Sequence, residues 1–416
     1  MSLNILDGLV ADRPDDAPRV VDAVLAAAAE AGATDIHLQP GPAGLEVKFR
    51  VDGVLQTVAM APAQVAGNVI ARLKVLAGLL TYHTDRPQEG RIRWVPVGQV
   101  VSLPRQSRQM DNLPGGEAKV NRETEMRVCT YPTLHGERAV VRLFGGDGHY
   151  LRLDDLGLPV DVLHPLRRLL GETSGAILVS GPAGSGKTTS VYACLREMAC
   201  AGRCLVSIED PVEVAVDGVA QSQVHQPTGL DLATGLRFLM RQDPEVIMVG
   251  EIRDRATAEA AMQASLTGHL LLSTFHAGSA AETVGRLLDM GIEPYVLRSG
   301  LLAILNQRLL RRLCKCARPS DSPDDRLGLP VERVMLPQGC PACGGTGYRG
   351  RFLLVEMLPL SRTELARAIL SRADTAAIER LAVEGGMLDR WHRASQAVAD
   401  GLTSPAEARR VLGFSQ

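Results

Sequence analysis

Residues 176–190 read AILVSGPAGSGKTTS, and few stretches restrict a chain as tightly. An apolar strand runs into Gly181, Pro182, Ala183, Gly184, Ser185, Gly186, Lys187, Thr188 and Thr189, which satisfies G-x-x-x-x-G-K-[ST]. Glycines let successive backbone N–H groups turn inward around phosphate oxygens, and the helix that follows adds its positive N-terminal end. Lys187 is expected to reach the β- and γ-phosphates, and the Thr188 hydroxyl to hold Mg²⁺. A nucleoside triphosphate site of this kind requires an α/β domain whose strands end beside the loop. Three further apolar runs, CLVSI, EVIMVG and HLLLSTF, alternate with helix-like segments such as TTSVYACLREMA and TAEAAMQASL. Unbroken apolar strands in that alternation predict a parallel sheet covered on both faces.

The other strand ends supply the chemistry. RQDPEVIMVGEIRD at 241–254 is a core strand ending in an acid. Beside a phosphate loop this is the Walker B element, with Glu251 next to Mg²⁺ or the attacking water. SIEDPVE offers Glu209, Asp210 and Glu213, one of which is expected to polarise that water; Pro211 ends the strand. His269 and His276 flank the fourth strand, where a histidine can hydrogen-bond a γ-phosphate.

Upstream, residues 17–32 predict an Ala-rich helix stopped by Gly32, and residues 62–80 a second helix. TDIHLQP and LEVKFRVDGVLQTV predict strands with a turn at Asp52-Gly53. EMRVCTYPTLHGERAVVRLF predicts two more around His135-Gly136. These make a small α+β domain over 1–144. The polar stretch 102–122 reads as a long exposed loop and 145–160 as an interdomain linker. The nucleotide-binding domain then covers 161–416, with a cysteine-bearing element at 306–353 and a helical tail. Cys314 and Cys316, with Cys340 and Cys343, form two knuckles suited to a structural tetrahedral Zn²⁺.

With 45 basic against 47 acidic residues and 3% aromatics, the chain lacks the signature of a nucleic-acid binder. No apolar run is long enough for a membrane span, and MSLNILDGLVADRPDD does not read as a signal peptide. A cytoplasmic location with reduced cysteines is expected. The basic run RLLRRLCKCAR at 308–318 reads either as a lipid contact or as solvated charge.

SIEDPVE, RQDPEVIMVGEIRD and ASLTGHLLLSTFHAGSA resemble the Asp box, Walker B and His box of the type II secretion and type IV pilus assembly ATPases. The resemblance extends to TDIHLQP, FRVDG, PQEGRI, RVCTYPTLHGERAVVRLF and GCPACGGTGYRGR, and covers nearly all of residues 30–360 in order. It implies a PAS-like N-terminal domain, a RecA-like ATPase domain and a homohexameric ring. That ring would hydrolyse ATP at the inner face of the inner membrane, against a platform protein. Residue by residue, it implies that Glu209 activates water and Glu251 is the Walker B acid. His276 and His269 become the His-box pair, and Arg127 and Arg142 reach the nucleotide; on the residues alone, those arginines would be surface charges on a hairpin. Arg50 and Arg91 also sit in family-like motifs.

Three features depart from the pattern. The first cysteine pair is C-x-C where the family's zinc-bearing members have C-x-x-C, the 102–122 stretch is longer, and the chain starts almost directly at the PAS-like domain. The resemblance leaves pseudopilus assembly for type II secretion as the leading reading, with pilus extension as the alternative. Pilus retraction is disfavoured by the cysteines, and a zinc-knuckle nucleic-acid translocase by the charge.

Overall fold

The computed structural model describes residues 13–94, 124–144, 151–199, 202–360 and 363–414. The 102–122 loop lies outside them. The chain divides into two compact units, Met1–Gly148 and His149–Gln416.

The first unit contains α1 (Ala17–Glu30), β1 (Asp35–Gly41), β2 (Gly44–Val51), β3 (Val54–Ala61), α2 (Ala63–Leu76), β4 (Gln88–Trp94), β5 (Thr124–Thr133) and β6 (Gly136–Phe144). The strands form one antiparallel sheet in the order β3-β2-β1-β6-β5-β4. Alternation decides which face is dry: Ile36, Leu38, Val47, Phe49, Val128 and Val141 pack with Val24, Leu25, Val69 and Leu73 of the helices. Asp52 and Gly53, both at positive φ, make the expected turn between β2 and β3. The sequence reading missed β4, whose outward residues are polar.

Among the described residues of this unit, Lys74 and Glu137 form a buried charge pair. The Lys74 ammonium, with no exposed surface, donates to both Glu137 oxygens at 2.8 Å and to the His83 carbonyl at 2.7 Å. Removing one partner strands the other charge. Lys74→Ala is therefore expected to destabilise the first unit by about 3–5 kcal/mol. Urea unfolding of the variant against the parent measures this, and a loss of under about 1 kcal/mol would contradict it.

The second unit carries α3 (Val160–Leu170), β7 (Gly175–Ser180), α4 (Lys187–Ala199), β8 (Leu205–Glu209), β9 (Val219–Gln223), α5 (Leu232–Leu239), β10 (Val246–Val249), α6 (Arg255–Leu266), β11 (Leu270–Phe275), α7 (Ala280–Asp289) and α8 (Pro294–Gly300). There follow β12 (Leu301–Leu313), β13 (Arg318–Ser320), β14 (Val334–Leu336), β15 (Tyr348–Pro359), α9 (Thr363–Leu370), α10 (Thr375–Glu384), α11 (Arg390–Ala399) and α12 (Pro405–Leu412). The main sheet runs β15-β12-β7-β11-β10-β8-β9. Its neighbours are parallel except at one edge, where β15 returns antiparallel to β12. The sheet is thus mixed but parallel-rich, as expected from the sequence, with its one antiparallel pairing at the β15 edge. Every residue of β7, β8, β10 and β11 is buried because helices cover both faces.

Two boundaries differ from the sequence reading. Leu153 and Leu156, inside the stretch read as a linker, are buried with Leu166, Val191 and Leu195 in the second unit's core. Their spacing around Asp154-Asp155 is too short to register as a helix pattern. The cysteine element also shares its ends with the main sheet, since β12 and β15 hold 306–313 and 348–353. The basic run belongs mostly to β12. Arg311 pairs with buried Glu407 at 2.7 Å, and Arg308 donates to the Gly278 and Val411 carbonyls. Those two guanidiniums are committed within the protein, against the lipid reading.

Candidate functional site

Parallel strands present their carboxyl ends together, and open α/β sheets bind ligands there. Ser180 of β7 lies beside Phe275 of β11, Ser273 beside Val249 of β10, and Val249 beside Ile208 of β8. That register brings Gly181, His276, Glu251 and Glu209 to one end of the sheet. The loop 181–186 crosses this end and feeds α4, with Lys187, Thr188 and Thr189 in its first turn.

The loop accepts only glycine at its turning points. Gly184 and Gly186 have φ of 72° and 86°, and a Cβ on Gly181 would meet the Gln307 carbonyl oxygen at 2.4 Å. The Ser185 hydroxyl is buried without a hydrogen-bond partner among the described residues, inside the phosphate loop. Lys187 Nζ donates to the Gly181 and Pro182 carbonyls at 2.9 and 3.1 Å. Burial lowers its pKa, while Glu251 and Glu213 pull the other way. This cradle, its cation and the N-terminus of a 13-residue helix fit a nucleotide's phosphates.

The two acids end their strands in different surroundings. Glu251 borders a cavity of about 330 Å³ that His276, Arg253 and Arg286 also line. Its carboxylate accepts from Arg253 Nε at 2.7 Å. Glu209 instead is 2% exposed. Tyr192 donates to one of its oxygens at 2.5 Å; Ser207 and Gln221 donate to the other at 2.7 and 3.0 Å. Burial and this carboxylate push the Tyr192 phenol well above its usual range. In this arrangement Glu209 faces protein donors rather than water, unlike the water-activating acid expected from the sequence.

The histidines separate. Burial and the Lys187 ammonium hold His276 below the usual imidazole range, outweighing Glu251. Neutral at pH 7, it can donate one N–H towards the loop's end of the sheet. His269 precedes β11, and the six residues of that strand span about 20 Å. Its ring sits at the amino end, with Nδ1 3.2 Å from the Ala264 carbonyl and its own carbonyl bonded to Gly175 N–H. Within one chain His269 cannot touch a phosphate held by 181–188, which corrects its pairing with His276. The strand's length, not its flanking letters, decides this.

Arg127 and Arg142 belong to the first unit. They are direct cross-strand partners, and the register continues the row as Arg50, Asp35, Arg142, Arg127 and Arg91. Directly opposed residues share a face, so one polar row crosses five strands. Asp35 accepts from Arg142 Nε at 2.9 Å, Arg127 pairs with Glu89 at 2.6 Å, and Arg91 with Glu125 at 3.0 Å.

The sulfurs of Cys314, Cys316, Cys340 and Cys343 lie within 4.8 Å of one another. Adjacent separations are 3.8, 3.9 and 3.7 Å, against about 3.8 Å for a tetrahedron of thiolates with Zn–S near 2.3 Å. Burial disfavours the Cys343 thiolate, but N–H groups of Cys340 and Gly347 and the neighbouring thiols outweigh it, bringing its pKa to about 6. The donor set fits a structural zinc, and the one-residue spacer in Cys314-Lys315-Cys316 does not keep the sulfurs apart.

Sequence reasoning missed the supports of the site. Gln307 of β12, 1% exposed, donates to the Ser185 carbonyl and accepts from Ser190 Oγ, each at 2.9 Å. The signal was the polar pair Asn306-Gln307 inside LLAILNQRLL. Gln307→Leu is expected to weaken ATP binding about five- to thirtyfold, the worth of about 1–2 kcal/mol of lost loop support. Titration with a fluorescent ATP analogue measures this, and an unchanged Kd would refute the support.

The family model "Type II/IV secretion system protein" matches residues 12–108 and 112–410. Type II secretion system protein E of Klebsiella pneumoniae is 38% identical over 409 residues, covering 96% of this chain and 77% of that protein. Type II secretion system ATPase E of Vibrio cholerae is 38% identical, covering 95% and 76%. The type IV pilus assembly ATPase TfpB of Acinetobacter baylyi is 37% identical, covering 95% and 65%. Among solved structures, the Legionella pneumophila ATPase DotB superposes with a TM-score of 0.66 at 20% identity, covering 96% of each chain. That likeness carries the fold.

Proposed function

Because this chain belongs to the Type II/IV secretion system protein family, and its relatives include the type II secretion system ATPase E of Vibrio cholerae, we propose that it is the ATP-hydrolysing motor of pseudopilus assembly in a type II secretion system. The observation that carries the chemistry is the convergence of the phosphate loop, Glu251 and His276 at one end of the sheet. Lys187 binds the β- and γ-phosphates, His276 donates to the γ-phosphate, and Glu251 faces the attacking water. Thr188 and Glu251 would hold Mg²⁺, which when bound neutralises charge on the phosphates. Glu209 is the second acid, held in reserve by Tyr192, Ser207 and Gln221.

On this reading the second unit is a RecA-like ATPase domain and the first a PAS-like domain that presents Arg127 and Arg142 to the nucleotide. The chain works as a homohexamer in the cytoplasm, peripheral at the inner membrane, against a platform protein. Among the described residues no helix is long and apolar enough to cross a membrane. The cysteine cluster holds structural zinc.

Pilus extension is the second reading, favoured by the likeness to the Acinetobacter baylyi assembly ATPase. Lys187→Ala in the source cell distinguishes the two. Export is expected to fall to background with pili intact. Loss of pili with export intact would make the chain a pilus-assembly motor, and no change in either would refute both.

A further inference from the structure

Strand β12 carries three polar residues in a row, Asn306, Gln307 and Arg308, inside the run LLAILNQRLL. Consecutive strand residues face opposite sides of a sheet. Gln307 turns to the phosphate loop, whereas Asn306 and Arg308 turn to the segment that leaves β11 with His276. Asn306 is 2% exposed. Its side-chain amide donates to Ser180 Oγ at 3.0 Å and to the Ala277 carbonyl at 3.1 Å. A buried amide is costly unless it is hydrogen-bonded, and these two bonds use both of its N–H groups.

The two partners sit at the roots of the two phosphate-facing elements. Ser180 precedes Gly181, where the loop begins, and Ala277 follows His276. In the sheet, Ser180 lies between Asn306 on one side and Phe275 on the other. One amide therefore crosses the end of β7 and ties the loop's origin to the histidine's backbone. Beyond β11 the carbonyls of 276, 277 and 278 need acceptor partners outside the ladder. Each finds a side chain: Arg286 at 2.7 Å, Asn306 at 3.1 Å and Arg308 at 2.9 Å. Of these donors, Asn306 alone also holds the phosphate-loop side. The His276 ring is exposed while Ala277 is buried, so the backbone at 277 decides where the ring stands.

We propose that Asn306 is a positioning residue for γ-phosphate recognition, fixing the separation between the phosphate loop and His276. The proposal rests on the reading that His276 donates to the γ-phosphate. Small displacements of a donor weaken such a contact steeply. Recognition of ATP over ADP then depends on a spacing that a single buried amide maintains.

The test compares a non-hydrolysable ATP analogue with ADP, each with Mg²⁺, by calorimetric titration of the full-length protein. The analogue's advantage over ADP measures recognition of the γ-phosphate. Asn306→Leu keeps much of the volume and removes both N–H groups. It is expected to cut that advantage about three- to tenfold, with ADP affinity within about twofold of the parent. His276→Ala should cut it at least as far. Adding Asn306→Leu to His276→Ala should then change it by less than about twofold, because the amide acts through the histidine. Asn306→Ala repeats the comparison without a new bulky group in the sheet. Equal losses for both nucleotides would make Asn306 a support of the loop alone and overturn the proposal. An unchanged advantage in both Asn306 variants, or full additivity with His276→Ala, would overturn it too. If His276→Ala itself leaves the advantage unchanged, the γ-phosphate reading fails and the proposal falls with it.

Discussion

Glu251→Gln is expected to lower ATP turnover by about 10²–10³-fold while leaving nucleotide affinity within a few-fold of the parent. The substitution keeps shape and removes charge from the acid that borders the same cavity as His276. An isosteric amide still accepts from Arg253, so the fold has little reason to respond. It can neither take a proton from water nor balance the charge of a metal ion. Glu209→Gln should behave differently. Ser207 and Gln221 donate to one carboxylate oxygen and Tyr192 to the other. An amide cannot accept at both ends, so one buried donor loses its partner, at about 1–3 kcal/mol. Lower stability should therefore accompany any loss of turnover. Steady-state hydrolysis by the assembled protein, with thermal unfolding of each variant, separates the two. If Glu209→Gln costs far more turnover than Glu251→Gln at unchanged stability, the assignment of the acids is reversed.

Loss of zinc is the second large effect. The four sulfurs are held at tetrahedral spacing on an excursion whose own sheet, β13 with β14, contains only three residues per strand. So short a pairing has little independent stability. Metal binding at a structural thiolate site is worth about 10–16 kcal/mol in small zinc peptides at neutral pH. On the proposed zinc assignment, the parent should carry one zinc per chain and Cys343→Ser close to none, with amide exchange raised across 314–347. The strands β7, β8, β10 and β11, whose cores lie elsewhere, should keep their protection. Zinc analysis and hydrogen exchange on the purified protein give the result; one zinc retained after dialysis would remove the cluster from the account. Protons compete for the thiolates, so the parent should also release metal on acidification.

Much of this was legible because it is local. The phosphate loop needs glycines at fixed offsets, a strand before it and a helix after it, and all three are written within about a dozen residues. The apolar runs of β7, β8, β10 and β11 declare themselves because strands buried on both faces carry no polar alternation. Strands β4, β9, β12 and β15 stayed hidden. Edge strands carry polar residues, and β12 begins inside an apolar run that a helix could equally use.

The sequence alone determined which groups the chain has for phosphate chemistry, because covalent spacing within one loop or strand end fixes them. Tertiary structure decided which of those groups meet. A parallel sheet gathers carboxyl ends at one edge, so Glu251 and His276 join the loop while His269, a strand's length away, does not. It decided too that Glu209 is walled in, since Tyr192 and Gln221 come from other elements. The arginine row is a register effect: Arg50, Asp35, Arg142, Arg127 and Arg91 line up only when five strands pair. No window of sequence contains such neighbours, because hydrogen bonding and packing between distant segments place them together.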